Sequence, residues 1–339
     1  MAALPISDFL TRAGTLPVLD VRTPAEFAQG HIPGACNLPL FSNEERAQVG
    51  TTYKQIGREE AFLQGLDLVG PKMRALVEAG QQLAPQRRVL MHCWRGGMRS
   101  GSVAWLLQTA GFQVDTLVGG YKAYRHEVLE AFARPARLLV LAGETGSGKT
   151  AILRALAERG EQVIDLEHLA HHRGSAFGGI GLPAQPTTEQ FQNALHATWA
   201  TFDRARRVWL EDESFSIGQV QLPHPLWQQM KAAHVVQVQV PRHARVQRLV
   251  AEYGSLERDA LAHAILTIQK RLGGQHVAAT LDALRAGRLD EVAERLLVYY
   301  DKSYQIGLQR RQAQATTPVA CTTGDPVRNA QQILQTLDA

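Results

Sequence analysis

The chain has little with which to build a disulfide framework. It holds three cysteines in 339 residues, Cys36, Cys93 and Cys321, far apart and in no zinc-ligand spacing. A reducing, cytoplasmic setting is therefore expected. Long apolar runs are missing as well. No stretch approaches the ~20 residues that span a bilayer, and the opening MAALPISDFLTRAG lacks the basic-then-apolar layout of a secretory leader. No membrane role is expected. There is no internal repeat and no low-complexity tract. Charge of one sign is scarce: the formal net charge is +4 and the pI about 9.0. What excess exists gathers at residues 241–311, where 12 Lys and Arg face 8 Asp and Glu. That stretch permits an acidic partner such as RNA.

What is present is an ordinary globular composition, 45% hydrophobic and 20% charged, which argues against disorder, collagen and a coiled coil. The length suggests about two domains. Residues 1–128 alternate strand and helix signals. Val18 to Val21, Cys36 to Leu40, Arg87 to His92 and Val114 to Val118 read as strands. Helices are expected at Thr23 to Phe27, with Thr23 as N-cap and Pro24 in the first turn, at 70–83 and at Arg99 to Ala110. Residues 129–136 read as a linker punctuated by Pro135, and a second alternating unit starts at 137. Its strands are expected at Leu138 to Ala142, Gln162 to Leu166, Arg207 to Leu210 and Val235 to Val240. Beyond Pro241 the pattern is almost wholly helical, at 241–253, 255–271, 275–287 and 288–303, with a polar tail and a short helix near 325–337. The fold class is α/β, two parallel-sheet domains in series, the second with a helical C-terminal part at about 241–339.

Gly143-Glu144-Thr145-Gly146-Ser147-Gly148-Lys149-Thr150 matches G-x-x-x-x-G-K-[ST] and sits between a strand and a helix, the context the motif requires. The glycines let backbone N–H groups converge on phosphate oxygens, and the helix dipole adds positive potential. Lys149 is expected on the terminal phosphates and Thr150 on Mg²⁺. Glu211 and Asp212, at the end of the apolar strand from Val208, are the candidate Mg²⁺-side acids. Asp165 and Glu167 also follow a strand and are candidates to line the pocket. The loop alone specifies a di- or triphosphate, not which one.

Cys93 closes the strand RRVLMH and precedes a helix across Trp94, Arg95, Gly96, Gly97, Met98 and Arg99. Loop amides, the helix dipole, Arg95 and Arg99 are all expected to favour the thiolate. His92-Cys93, five residues, then Arg99 satisfies the H-C-x5-R pattern of cysteine phosphatases. The same cradle suits a persulfide or perselenide anion. Trp94 is expected to pack on the scaffold rather than stack on a base. His168, His171 and His172 cluster without a nearby cysteine, and no zinc is assigned to them. Arg242, Arg245 and Arg248 recur on one helix face and are the candidate contacts to RNA phosphates.

Leu19-Asp20-Val21-Arg22, Glu26-Phe27, Gly30 to Ala35 and the closing Val118-Gly119-Gly120-Tyr121 resemble the signature strings of rhodanese domains. A rhodanese followed by a P-loop NTPase-like unit is an uncommon pairing. Together with Asp165-Leu166-Glu167, His172 to Gly178, Glu211-Asp212-Glu213-Ser214 and Leu272-Gly273-Gly274-Gln275, it resembles the tRNA 2-selenouridine synthase family over nearly the whole chain. One departure is visible: Phe215-Ser216 stands where family members often carry an arginine pair. The resemblance implies a selenotransferase, with S-geranyltransferase activity, acting on tRNA that bears wobble 2-thiouridine. It implies selenophosphate and geranyl diphosphate as co-substrates, Cys93 as the selenium-handling residue, and an enzyme supplying selenophosphate as a partner. Two rivals stand beside it: a P-loop kinase with a regulatory rhodanese domain, and a cysteine phosphatase fused to a nucleotide-binding module.

Overall fold

The computed structural model describes residues 2–309 and 315–338. Arg310 and Arg311 of the basic stretch lie outside the described residues. The chain divides into two compact units, Met1–Ala131 and Phe132–Ala339.

The first unit carries one five-stranded sheet. Its strands are β1 (Ala3–Leu4), β2 (Val18–Asp20), β3 (Cys36–Asn37), β4 (Arg88–His92) and β5 (Gln113–Leu117). They pair in the order β1-β5-β4-β2-β3, every pair parallel. β2 and β4 are central and covered on both faces, which is why they read as short apolar runs without alternation. Helix Pro24–Gln29 starts as its sequence predicts: the Thr23 hydroxyl accepts from the Glu26 amide while the Glu26 carboxylate accepts from the Thr23 amide. The core gathers Leu19, Val21, Met91, Val103, Leu107 and Val114 between sheet and helices.

Local differences have local reasons. The extended piece expected at 36–40 shrinks to a two-residue edge strand, and Pro39 beyond it supplies no backbone donor to continue the ladder. The helix expected at 70–83 is a 3₁₀ turn at Gly70–Lys72 and an α-helix at Met73–Leu83; Pro71 supplies no backbone donor there. Helices Asn43–Gln55 and Arg58–Val69 carry no strong apolar stripe and were not predicted. Residues 129–131 continue helix Gly120–Ala131 instead of joining a linker.

The second unit carries β6 (Arg137–Gly143), β7 (Gln162–Ile164), β8 (Arg207–Glu211), β11 (His234–Gln239) and β12 (Thr316–Ala320) in a parallel sheet ordered β12-β11-β6-β8-β7. A small hairpin pairs β9 (Ser216–Ile217) with β10 (Val220–Gln221). β11 lies on the opposite side of β6 from β8, so the chain reverses its winding at β6, where ligands of open α/β sheets bind. Helices Arg242–Tyr253, Arg258–Thr267, Gly274–Arg285 and Leu289–Gln309 share a separate apolar cluster with Phe177. The helix expected at 255–271 breaks near Ile268. The tail is not purely polar: β12 adds the last strand, its Val319 buried in the sheet core. A five-residue strand containing Pro318 gives little periodic signal, and edge placement is what admits the proline.

Candidate functional site

Two loops hold the candidate reactive groups, one in each unit. In the first, Cys93 follows β4 and the loop Trp94 to Gly97 leads into helix Met98–Thr109. Two glycines hold the loop from behind. A Cβ at Gly120 would collide with the Cys93 carbonyl oxygen and lie 2.5 Å from the Gly96 amide. A Cβ at Gly96 would lie 2.6 Å from the Leu117 carbonyl oxygen. Both glycines have positive φ, 60° and 66°. The amides of Tyr121 and Lys122 donate to the Cys93 and Trp94 carbonyls at 2.8 and 3.0 Å. The closing Gly-Gly-Tyr string is thus a backbone clamp on the cysteine loop.

Cys93 is 3% exposed, yet its sulfur does not sit among hydrocarbon alone. The Ser100 hydroxyl donates to Sγ at 3.2 Å. Burial pushes the thiol up, but the Ser100 hydroxyl and the amides of Ser100, Arg95 and Gly97 outweigh it and hold the pKa below the ordinary value. The arginine side chains expected to share this task do not. Arg95 is exposed, and Arg99 donates to both oxygens of Glu26 at 2.6 and 3.2 Å. Burial raises the Glu26 carboxyl, while Arg99 and the Thr23 amide draw it below the usual range. Gly97 and Met98 are exposed, and Trp94 is half-buried with its ring 5.8 Å from that of Tyr121.

Beneath the loop lies a buried ion pair that explains the Asp-Val-Arg string. Arg22 forks onto Asp20, with Nη2 2.6 Å from Oδ2, donates to the Gly30 carbonyl at 2.6 Å, and stacks 3.7 Å from the Tyr121 ring centre. His92 is also buried, and that burial depresses its pKa.

In the second unit the phosphate loop links β6 to helix Lys149–Ala157. Gly146 and Gly148 take positive φ, 78° and 76°. Lys149 Nζ donates to the Gly143 carbonyl at 3.1 Å, and Ser147 Oγ is buried with no hydrogen-bond partner. An orphaned hydroxyl in this position fits a loop shaped around an oxyanion. The Thr150 hydroxyl donates to the Glu167 carboxylate at 2.8 Å. Glu167 is thus a carboxylate in direct contact with Thr150.

Glu211 is fully buried. One oxygen accepts from the Leu166 amide at 2.9 Å and the other has no partner. Burial, then the nearby Asp165 and Glu167, push its pKa well above normal. Asp212 is half-buried, its amide donating to the Leu141 carbonyl. Sequence reading passed over Glu213 as a site residue. Burial and Glu167, offset in part by Lys149, push it up to about 7. Its place two residues past a core strand, in an E-D-E string, was the only signal. Among the described residues no group of three or more His, Cys, Asp or Glu is placed to hold a metal ion, the His168, His171 and His172 cluster included. Phe215, in place of the first arginine, packs edge-on to Trp227 at 5.3 Å.

The three arginines of helix Arg242–Tyr253 do not form one solvent-facing stripe. Arg245 is 4% exposed, paired with Asp301 at 2.8 Å and with Glu144 at 3.0 Å, and donates to the Thr145 carbonyl. Arg248 donates to the Gly324 carbonyl at 2.7 Å, and its guanidinium carbon lies 2.6 Å from where a Gly148 Cβ would stand. Both brace the phosphate loop. Arg242 alone is exposed, and it donates to the Glu294 carbonyl at 3.1 Å. Helical spacing cannot distinguish a basic face turned to solvent from one turned to a neighbouring loop. A cavity of about 610 Å³ opens beside Arg248, Glu252, Gly324 and Asp325.

Residues 136–329 match the family described as tRNA 2-selenouridine synthase AAA domain, and residues 7–127 match the rhodanese-like domain family. A tRNA 2-selenouridine synthase of Cronobacter sakazakii is 38% identical over 346 residues, covering 90% of both chains. Another, from Nitrosomonas eutropha, is 33% identical over 360 residues, covering 90% of this chain and 92% of its own. Among solved structures, the N-terminal domain of a putative ATP/GTP binding protein from Clostridium difficile is 41% identical over 38% of this chain and 99% of its own, with a TM-score of 0.35. No helix among the described residues is long and apolar enough to cross a membrane.

Proposed function

Since the chain belongs to the tRNA 2-selenouridine synthase family, we propose that it converts wobble 2-thiouridine of tRNA to 2-selenouridine in two stages, alkylation of the sulfur by geranyl diphosphate and then displacement by selenium from selenophosphate. The observation that carries this reading is the pair of anion receptors on one chain: a thiol loop whose amides converge on Cys93 Sγ, and a complete phosphate loop with an orphaned Ser147 hydroxyl.

The first stage needs a seat for pyrophosphate. The thiouridine sulfur attacks the allylic carbon of geranyl diphosphate; a C–S bond forms, the C–O bond breaks, and the N3 proton is lost. Charge builds on the departing diphosphate, where the amides around Gly146 and Gly148, the Ser147 hydroxyl and Lys149 would meet it. Thr150 and Glu167 are hard oxygen donors side by side and fit a Mg²⁺ that arrives with the diphosphate, since Mg²⁺ takes few protein ligands and completes its shell with phosphate and water. When bound, the ion would neutralise charge on the leaving group.

Alkylation turns a poor leaving group into a thiol and makes C2 open to attack. In the second stage selenium adds to C2, a C–Se bond forms, the C–S bond breaks and geranylthiol departs. Cys93 and the loop Trp94 to Arg99 would present the selenium donor. Selenophosphate has to be made by another enzyme, which would be a partner in supply.

The experiment is incubation with thiolated tRNA, adding geranyl diphosphate and selenophosphate separately and together, followed by nucleoside mass spectrometry. S-Geranylthiouridine with the first donor and selenouridine only with both is the expected pattern. Selenouridine formed without any geranyl donor would overturn the two-stage order.

A further inference from the structure

We propose that Cys93 acts as a phosphoryl acceptor: its thiolate attacks the phosphorus of a phosphoselenoate bound in the loop and releases selenide, instead of carrying selenium as a perselenide. This inference rests on the reading of selenophosphate as donor given above.

Electron counting makes the first case. Selenium in selenophosphate is already at the selenide level. Moving it onto a thiolate as S–Se⁻ would oxidise both partners by one electron pair in total, and no oxidant is supplied by the reaction. Attack at phosphorus balances without one. An S–P bond forms, the P–Se bond breaks, and the electron pair leaves with selenium as HSe⁻. Water then cleaves S–P, giving inorganic phosphate and the thiolate again. The freed selenide is the nucleophile that the alkylated C2 requires.

Geometry makes the second case. His92-Cys93-x5-Arg99-Ser100 has the spacing of a cysteine loop that binds phosphate. The amides of Arg95, Gly97 and Ser100 point at the position of the sulfur, as a nest for an oxyanion does. The Ser100 hydroxyl donates to Sγ at 3.2 Å, where it stabilises the thiolate both as nucleophile and as the leaving group of the second step. Arg99 stands at the loop's end, held by Glu26 at 2.6 Å, and can exchange that carboxylate for equatorial phosphoryl oxygens. A phosphate ester would also need a general acid for its alkoxide. The hydrogen selenide anion HSe⁻ is a weak base and leaves with the proton that the monoprotonated phosphoselenoate brings, so no protein general acid is needed and this loop suits a phosphoselenoate better than an ester.

The test supplies the full-length enzyme with selenophosphate labelled with ³²P or with ⁷⁵Se, together with S-geranylated thiouridine tRNA, and stops the reaction within a turnover. Phosphoryl and selenium adducts have nearly equal mass, so the labels decide. The expected result is ³²P on the protein, absent from Cys93→Ser, with ⁷⁵Se passing to tRNA and not retained on the enzyme. Ser100→Ala should raise the trapped ³²P several-fold while slowing phosphate release, an effect that loss of structure would not produce. Protein-bound ⁷⁵Se lost on reduction, with no ³²P, overturns the proposal in favour of a perselenide. Neither label on the protein, with ⁷⁵Se still reaching tRNA, overturns it in favour of non-covalent binding. Failure of ⁷⁵Se to reach tRNA counts against the two-stage function, and the ³²P result then still decides the role of Cys93.

Discussion

Gly120 lies so close behind Cys93 that a Cβ would strike the cysteine's carbonyl oxygen, and the adjacent Tyr121 amide donates to that same oxygen at 2.8 Å. The reactive loop is therefore shaped by a segment nearly thirty residues downstream. Gly120→Ala adds both a collision and a strained positive φ of 60°. The expected cost is about 1–3 kcal/mol, read by chemical denaturation. Selenation should fall with it, while geranylation, which needs the other loop, stays near the wild-type rate.

The two loops should separate by mutation. Cys93→Ser is expected to abolish selenouridine while leaving S-geranylthiouridine to accumulate. Lys149→Ala is expected to lower geranylation by roughly 10²-fold, the usual scale for removing one preorganised charge stabiliser. Equal loss of both products in either variant, with the circular dichroism spectrum intact, would contradict the division.

Glu213 gives a pH signature. Its folded pKa of about 7 stands above the ordinary 4.5, so the folded state holds this proton more tightly than the unfolded chain. The associated stability is complete below the unfolded pKa and is lost as pH rises through about 7. Glu213→Gln should therefore raise Tm at pH 8 and change it little at pH 4.5. Equal shifts at both values would argue that Glu213 is not protonated in the fold.

Arg242 and Arg245 should behave as opposites. Arg245→Ala removes a buried guanidinium from the partly exposed carboxylates of Asp301 and Glu144 and should cost about 1–3 kcal/mol in thermal or denaturant unfolding. Arg242→Ala should be nearly neutral in stability. If its exposed guanidinium meets a tRNA phosphate, the log–log salt slope of binding should fall by about 0.7–0.9. An unchanged slope would remove Arg242 from the RNA surface.

Much of this chain was legible before folding. Both loops announce themselves because their chemistry is carried by adjacent residues: a phosphate nest needs consecutive amides and glycines in one turn, and a thiol cradle needs a strand end and a helix start around one cysteine. The Thr23 capping box and most sheet strands are local in the same sense. β12 escaped because five residues with a proline carry no periodicity, and its partner β11 lies some eighty residues earlier.

Linear order, then, determined which residues form the two candidate anion loops and where their glycines fall. Tertiary structure alone decided what stands behind those loops. It set Glu167 against Thr150, turned Arg245 and Arg248 inward to the phosphate loop, and left Arg99 in the grip of Glu26. The reason is physical: hydrogen-bonded turns depend on neighbours along the chain, whereas a charged side chain settles wherever the packed fold leaves an opposite charge or an exposed carbonyl within reach.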